Sequence, residues 1–103
     1  MKPVLVWTLQ AREDLMDLYV TIGSDDPAAA ERYYTSIEDQ VDLLLQFPRL
    51  GVRRPEIAPA ARMLVKGVYL ILYETRPDRD EGPVDQIEIV RVVHGHRELS
   101  ELY

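Results

Sequence analysis

The chain has 103 residues, no cysteine, 47% apolar and 29% charged residues and a formal net charge of −6. That length suits one domain with a core of its own, and the missing thiols exclude disulfide staples and thiolate metal ligands. Apolar runs of only a few residues exclude a membrane span, and the acidic balance excludes a protein that coats nucleic acid by bulk charge.

The amino terminus lacks the long apolar core of a signal peptide, so a cytoplasmic chain is the expectation. Charge is unevenly spread. Residues 12–42 hold nine acidic and two basic side chains, whereas residues 49–66 hold five basic ones against Glu56 alone.

In chain order, residues 3–7 predict a short strand. Thr8 offers a hydroxyl to cap a helix whose apolar stripe is Ala11, Leu15, Leu18, Tyr19 and Ile22, with Glu13, Asp14 and Asp17 near its positive end and Gly23 as its stop. Asp26 and Pro27 cap and open a second helix. Its stripe is Ala30, Tyr33, Tyr34, Ile37, Val41, Leu44 and Leu45, and Pro48 ends it at Phe47. The short link makes the two helices an antiparallel hairpin.

Residues 49–61 read as a loop broken by Gly51, Pro55 and Pro59. Strands follow at 62–66 and 68–74 around a turn at Gly67, and residues 76–83 form a polar, exposed and mobile hairpin loop. The last strand, residues 84–93, is rich in β-branched residues and apolar on both faces, which suits an inner strand. Alternation puts Ile87, Ile89, Arg91 and Val93 on one face and Val90, Val92 and His94 on the other. The expected fold is α+β: a short N-terminal strand, a helical hairpin, and a three-stranded antiparallel sheet, in one domain over 1–103. The sheet face away from the hairpin is left partly bare, with Arg62, Lys66, Tyr69, Tyr73, Arg91, His94 and Arg97 as its polar or amphipathic lining.

Each of these residues admits a functional and a plain reading. His94 suits acid–base work near neutral pH, or simply a hydrogen bond at a strand end. His94 and His96 have no third ligand at a useful spacing, so no metal is expected. Arg91 suits an acidic partner or an internal pair with a helix carboxylate such as Asp14. Arg62 and Lys66 share a strand face and suit phosphate, an acidic peptide, or protection of a sheet edge. Tyr69 and Tyr73 suit base stacking or aromatic packing.

The succession Ala11–Arg12–x–Asp14–Leu15, Tyr19–x–x–Ile22 and Asp26–Pro27–x–Ala29–Ala30 resembles the RelE/ParE toxin superfamily of type II toxin–antitoxin systems. Phe47–Pro48–x–x–Gly51–x–x–x–Arg54–Pro55–Glu56 and Arg62–x–Leu64–x–x–x–x–Tyr69–x–Ile71–x–Tyr73 continue the likeness. Ile87–x–Ile89–x–Arg91–Val92–x–His94–x–x–Arg97 closes it, nearest the ParE branch.

The resemblance implies one of two activities, the alternative class being a non-toxic binding module that keeps the same fold. RelE-like members are ribosome-dependent mRNA endonucleases, and on that match Arg97 and Tyr103, with His94, would be the catalytic groups. The same match puts Leu70 where those enzymes carry a further arginine, and a leucine cannot stabilise extra phosphate charge. ParE-like members poison DNA gyrase by binding, without a catalytic constellation or cofactor. On that reading Arg91, His94, His96, Arg97 and Tyr103 are the target-contact candidates. A ParD-like antitoxin is the implied partner, forming a hetero-oligomer and carrying any contact with operator DNA. Its candidate contacts are Leu18, Ile22, Tyr33, Ile37, Arg62 and Lys66.

Overall fold

The structure, a computed structural model, describes residues 2–95. His96, Arg97 and Tyr103 lie outside the described residues. The elements run β1 (Val4–Trp7), α1 (Leu9–Gly23), α2 (Pro27–Leu43), β2 (Val52–Arg53), β3 (Arg62–Lys66), β4 (Tyr69–Arg76) and β5 (Gln86–His94). The sheet is mixed and has five strands in the order β1-β5-β4-β3-β2, not three. β1 joins it parallel to β5, through Leu5 opposite Ile87 and Trp7 opposite Ile89. β2 pairs only Val52 with Met63 and Arg53 with Arg62, too short a run to leave a periodic signal.

Both helix starts follow their caps. The Thr8 hydroxyl accepts from the Ala11 amide at 3.0 Å, and the Asp26 carboxylate accepts from the Ala29 amide at 3.1 Å. α2 ends earlier than Phe47. The Leu44 amide reaches back to Val41 and the Leu45 amide to Asp42, so the chain tightens into turns after Leu43. That tightening puts Leu44 in the core, fully buried.

The helical hairpin covers one sheet face. Ala11, Leu15 and Leu18 of α1 and Ile37 and Val41 of α2 pack with Leu64, Ile71, Tyr73, Ile87 and Ile89. Because successive strand residues alternate, Tyr69 and Tyr73 share this inner side with Ile71, and Tyr69 packs at the margin of that core. Neither tyrosine lines a bare opposite face. That face is roofed by the 54–61 segment, whose Ile57, Ala58 and Ala61 pack on Leu70, Leu72, Met63 and Val93.

β5 departs from simple alternation. Leu72 faces Arg91 but Tyr73 faces Ile89, so Val90 has no partner on β4 and bulges. The extra residue shifts the parity of the strand. Val92 follows Ile87 and Ile89 into the helix-side core, while Val93 joins the opposite cluster. β5 also begins at Gln86 rather than Val84.

The 76–83 loop is exposed, as expected, but tied down. Arg49 donates to the carbonyls of Arg79 and Gly82 at 2.9 and 2.7 Å, and Arg53 pairs with Asp78 and Asp80 at 2.9 and 2.7 Å.

Candidate partner-binding site

β1 is four residues long and β5 nine, so along the far half of β5 the edge away from β4 has no strand beside it. Side chains of α1 and its cap take over there. The Thr8 hydroxyl donates to the bulged Val90 carbonyl at 2.9 Å, and Asp14 accepts from the Val92 amide at 3.0 Å. Asp14 also receives the Arg91 guanidinium at two points, Nε at 2.7 Å and Nη2 at 2.9 Å. The internal reading of Arg91 therefore holds. Asp14 and Glu13 stand beyond the first turn of α1, so Asp14 serves β5 rather than the helix dipole.

The electrostatics follow from that geometry. Burial pushes the Asp14 carboxyl up, but the Arg91 and Val92 donors outweigh it and hold the group below its ordinary value of 3.8. Its carboxylate in turn raises Arg91 above the usual guanidinium value.

Beyond this pair lies a groove of about 250 Å³ between α1 and β5, lined by Asp17, Leu18, Thr21, Tyr69, Val93 and His94 as well as Asp14 and Arg91. A ladder of rings leads out of it. Tyr69 meets His94 edge-on at 5.6 Å and Tyr33 edge-on at 5.5 Å. Tyr33 then stands over Gly67 at the β3–β4 turn, where φ is +61°. At that end Lys66 and Tyr33 line a second, open cleft with Arg32 and Ser36.

Of the antitoxin-contact candidates, Leu18, Ile37 and Arg62 are buried in the chain itself. The same helical stripe that points at a partner also points at the sheet, and these side chains are spent on the core. Leu18 nonetheless forms part of the groove wall. Arg62 is pinned by the Gly51 carbonyl at 3.2 Å and Asp80 at 3.3 Å. Ile22 and Tyr33 pack at the edge of the core, half-buried, and Lys66 stands at the cleft mouth.

Of the target-contact candidates, Arg91 and His94 meet in the groove. Leu70 lies on the opposite sheet face among Leu72, Val93 and Ile57, an apolar setting. Among the described residues no three His, Cys, Asp or Glu side chains gather to hold a metal.

Two surface features escaped the sequence reading. Leu9, Met16 and Val20 are exposed and recur seven and four residues apart, so they form one line along the outer side of α1. The spacing was visible, but the stronger core stripe of α1 masked it. The open edge on the far half of β5 depends on where β1 stops, which no local pattern encodes.

A mixed sheet with a helical hairpin on one face and a short roofing segment on the other defines the RelE/ParE type of toxin fold. A solved structure of the chromosomal ParDE system from P. aeruginosa is similar, with 26% identity, a TM-score of 0.70, and coverage of 90% of this chain and 96% of that one. The RelBE2 toxin–antitoxin complex from Mycobacterium tuberculosis shares the fold at 24% identity and a TM-score of 0.61, over 91% of this chain and 99% of that one. No curated relative matches by sequence. The family described as the ParE toxin of the type II toxin–antitoxin system parDE matches residues 5–99. The chain belongs to that family. Among the described residues no helix is long and apolar enough to cross a membrane.

Proposed function

We propose that this chain, as one toxin domain over residues 1–103, acts by binding DNA gyrase and is neutralised by a ParD-like antitoxin. The observation that carries the binding reading is Leu70. RNA cleavage needs donors that stabilise charge on phosphorus, and Leu70 packs in an apolar cluster with Leu72, Val93, Ile57 and Met63, where Arg54 reaches the Met63 sulfur but is paired with Glu56. Arg91, the cation of β5, stands in the groove against α1 and is engaged by Asp14. The toxin holds gyrase while its DNA is cleaved and blocks religation, in the cytoplasm and without a cofactor. Target contact falls to the arm from His94 through His96 and Arg97 to Tyr103, which continues a firmly held strand.

The antitoxin reading rests on the family and on the line of Leu9, Met16 and Val20, which offers a helical or extended partner segment apolar surface to cover. The two proteins form a hetero-oligomer, and operator DNA is reached only through the antitoxin. A paired assay tests the choice: purified chain against gyrase supercoiling, and against mRNA on translating ribosomes. Inhibition of supercoiling without transcript cleavage is expected, and transcript cleavage without gyrase inhibition would reverse the assignment to the RelE-like activity, with Arg97, Tyr103 and His94 as its groups. Deleting residues 97–103 should abolish toxicity and leave antitoxin binding intact.

A further inference from the structure

Among the described residues, five of the nine arginines on this acidic chain are paired with carboxylates. Arg53, Arg54, Arg62, Arg76 and Arg91 each form an ion pair. Arg32 and Lys66 do not, and neither do Lys2, Arg12, Arg49 and Arg79 among the described residues; of these Arg12 lies over the Trp7 ring and Arg49 donates to loop carbonyls. The sequence arranges this. On α2 the positions three and four residues from Arg32 are Ala28, Ala29, Thr35 and Ser36, none of them acidic, although Glu31, Glu38 and Asp39 stand on the same helix. On β3, Lys66 faces Tyr69 across the hairpin and shares its side of the sheet with Leu64.

The two cations converge. Arg32, Tyr33 and Ser36 of α2 and Lys66 and Gly67 of the β3–β4 hairpin line one open cleft of about 370 Å³. The hydroxyls of Tyr33 and Ser36 have no hydrogen-bond partner among the described residues, so the cleft offers two positive charges and two free donors. Its floor is set by Gly67, because a Cβ there would come within 3.1 Å of the Tyr33 hydroxyl at a φ of +61°.

We infer that this cleft is a receptor for a single carboxylate carried by a partner protein segment. A guanidinium, an ammonium and two hydroxyls supply charge-assisted bonds to both oxygens of such a group. A nucleic-acid strand fits less well: its phosphates continue past the cleft, and with a net charge of −6 and Glu31, Glu38 and Asp39 on the same helix the surface repels a long polyanion. An isolated carboxylate meets only the cleft. In the complex proposed above, the carboxylate is an Asp or Glu of the antitoxin, and that step rests on the antitoxin reading.

Two measurements judge the site separately from that reading. The full chain is titrated with butyrate, a monocarboxylate, while the Gly67 amide and the Arg32 side-chain N–H are followed by NMR. A saturable shift is expected, lost in the R32Q/K66Q double variant with the remaining spectrum unchanged. Absence of saturation, or the same response in the double variant, overturns the site. Dimethyl phosphate, of the same charge, in place of butyrate should give the weaker response, and an equal or stronger one overturns the carboxylate assignment. Antitoxin binding to R32Q/K66Q should weaken by about tenfold, the worth of one charge-assisted hydrogen bond. Wild-type affinity in that variant would sink the inference and leave the antitoxin reading standing. Failure of the unaltered chain to bind antitoxin at all would sink that reading, with the butyrate titration still deciding the site.

Discussion

The strands next to the two edges of the sheet, β5 and β3, are each fastened by an arginine, and the two fastenings are built differently. At β5 Arg91 and Asp14 are both sheltered, with side-chain exposures of 14% and 8%. Asp14 accepts from Arg91, from the Val92 amide and from Gln10, so its oxygens are saturated. At β3 Arg62 is 5% exposed, but its carboxylate partner Asp80 is 77% exposed, and Arg62 Nε has no hydrogen-bond partner. The first is a weld between a helix and a strand. The second is a latch on a surface loop, where water competes for the carboxylate at every moment.

Breaking the weld should have the largest effect. Asp14→Asn leaves Arg91 sheltered without its counter-ion and weakens the support of the Val92 amide, at a cost of about 3 kcal/mol in urea unfolding. The wild-type pH dependence carries the same information. Asp14 titrates below its ordinary value when folded, so its contribution is complete above about pH 4 and is lost as pH falls through the folded pKa. The stability of Asp14→Asn should therefore fall less steeply than wild type on acidification below pH 4. Equal slopes would mean that Asp14 is not the group holding α1 to β5.

Tyr73→Phe comes next. The Tyr73 hydroxyl accepts from the Gly51 amide at 2.8 Å and donates to the Pro48 carbonyl at 2.9 Å, and the ring is fully buried. Removing it strands two backbone groups and should cost about 2 kcal/mol by thermal or urea unfolding. Arg62→Met should cost less, within about 1 kcal/mol of wild type, because a buried cation with one unmade bond is exchanged for an apolar chain of similar length. A loss as large as that of Asp14→Asn would show that the latch is a second weld.

The contrast also marks what the sequence could and could not carry. Caps, stripes and the Gly67 turn are local, so Thr8, Asp26 and Pro27 placed both helices and the β3–β4 hairpin was legible. The pairing of Arg91 with Asp14 was readable as one of two alternatives because a cation on an apolar strand needs a carboxylate somewhere. The bulge at Val90 was not, since it is a matter of register between two strands and leaves no mark in either alone. For the same reason the parallel pairing of β1 and the two-residue β2 stayed hidden. At the candidate site, stripe periodicity identified apolar helix residues but could not divide those spent on the sheet, such as Leu18 and Ile37, from those left outward, such as Met16 and Val20. Composition gave the cationic stretch from Arg49 to Lys66, yet only the fold separates Lys66 from the arginines that the 76–83 loop engages.

The smallest expected effect is the one that tests the latch most directly. Asp80 is held below its ordinary carboxylate value chiefly by its hydrogen bond with Arg53, with Arg62 adding to it, and it is largely in solvent. Charges in that setting are screened and trade their partner for water at little cost. Asp80→Asn should therefore leave the global unfolding midpoint where it is, and instead free the loop that Asp80 anchors. Amide exchange in residues 78–82 should quicken while β4 and β5 remain protected, because local opening draws on few buried contacts. High salt should reproduce the effect in the wild-type chain and add little to the variant. If exchange in the loop is unchanged, the two carbonyl bonds from Arg49 to Arg79 and Gly82 are sufficient to hold it, and the pairing of Arg53 and Arg62 with Asp80 is a consequence of the loop's position and not its cause.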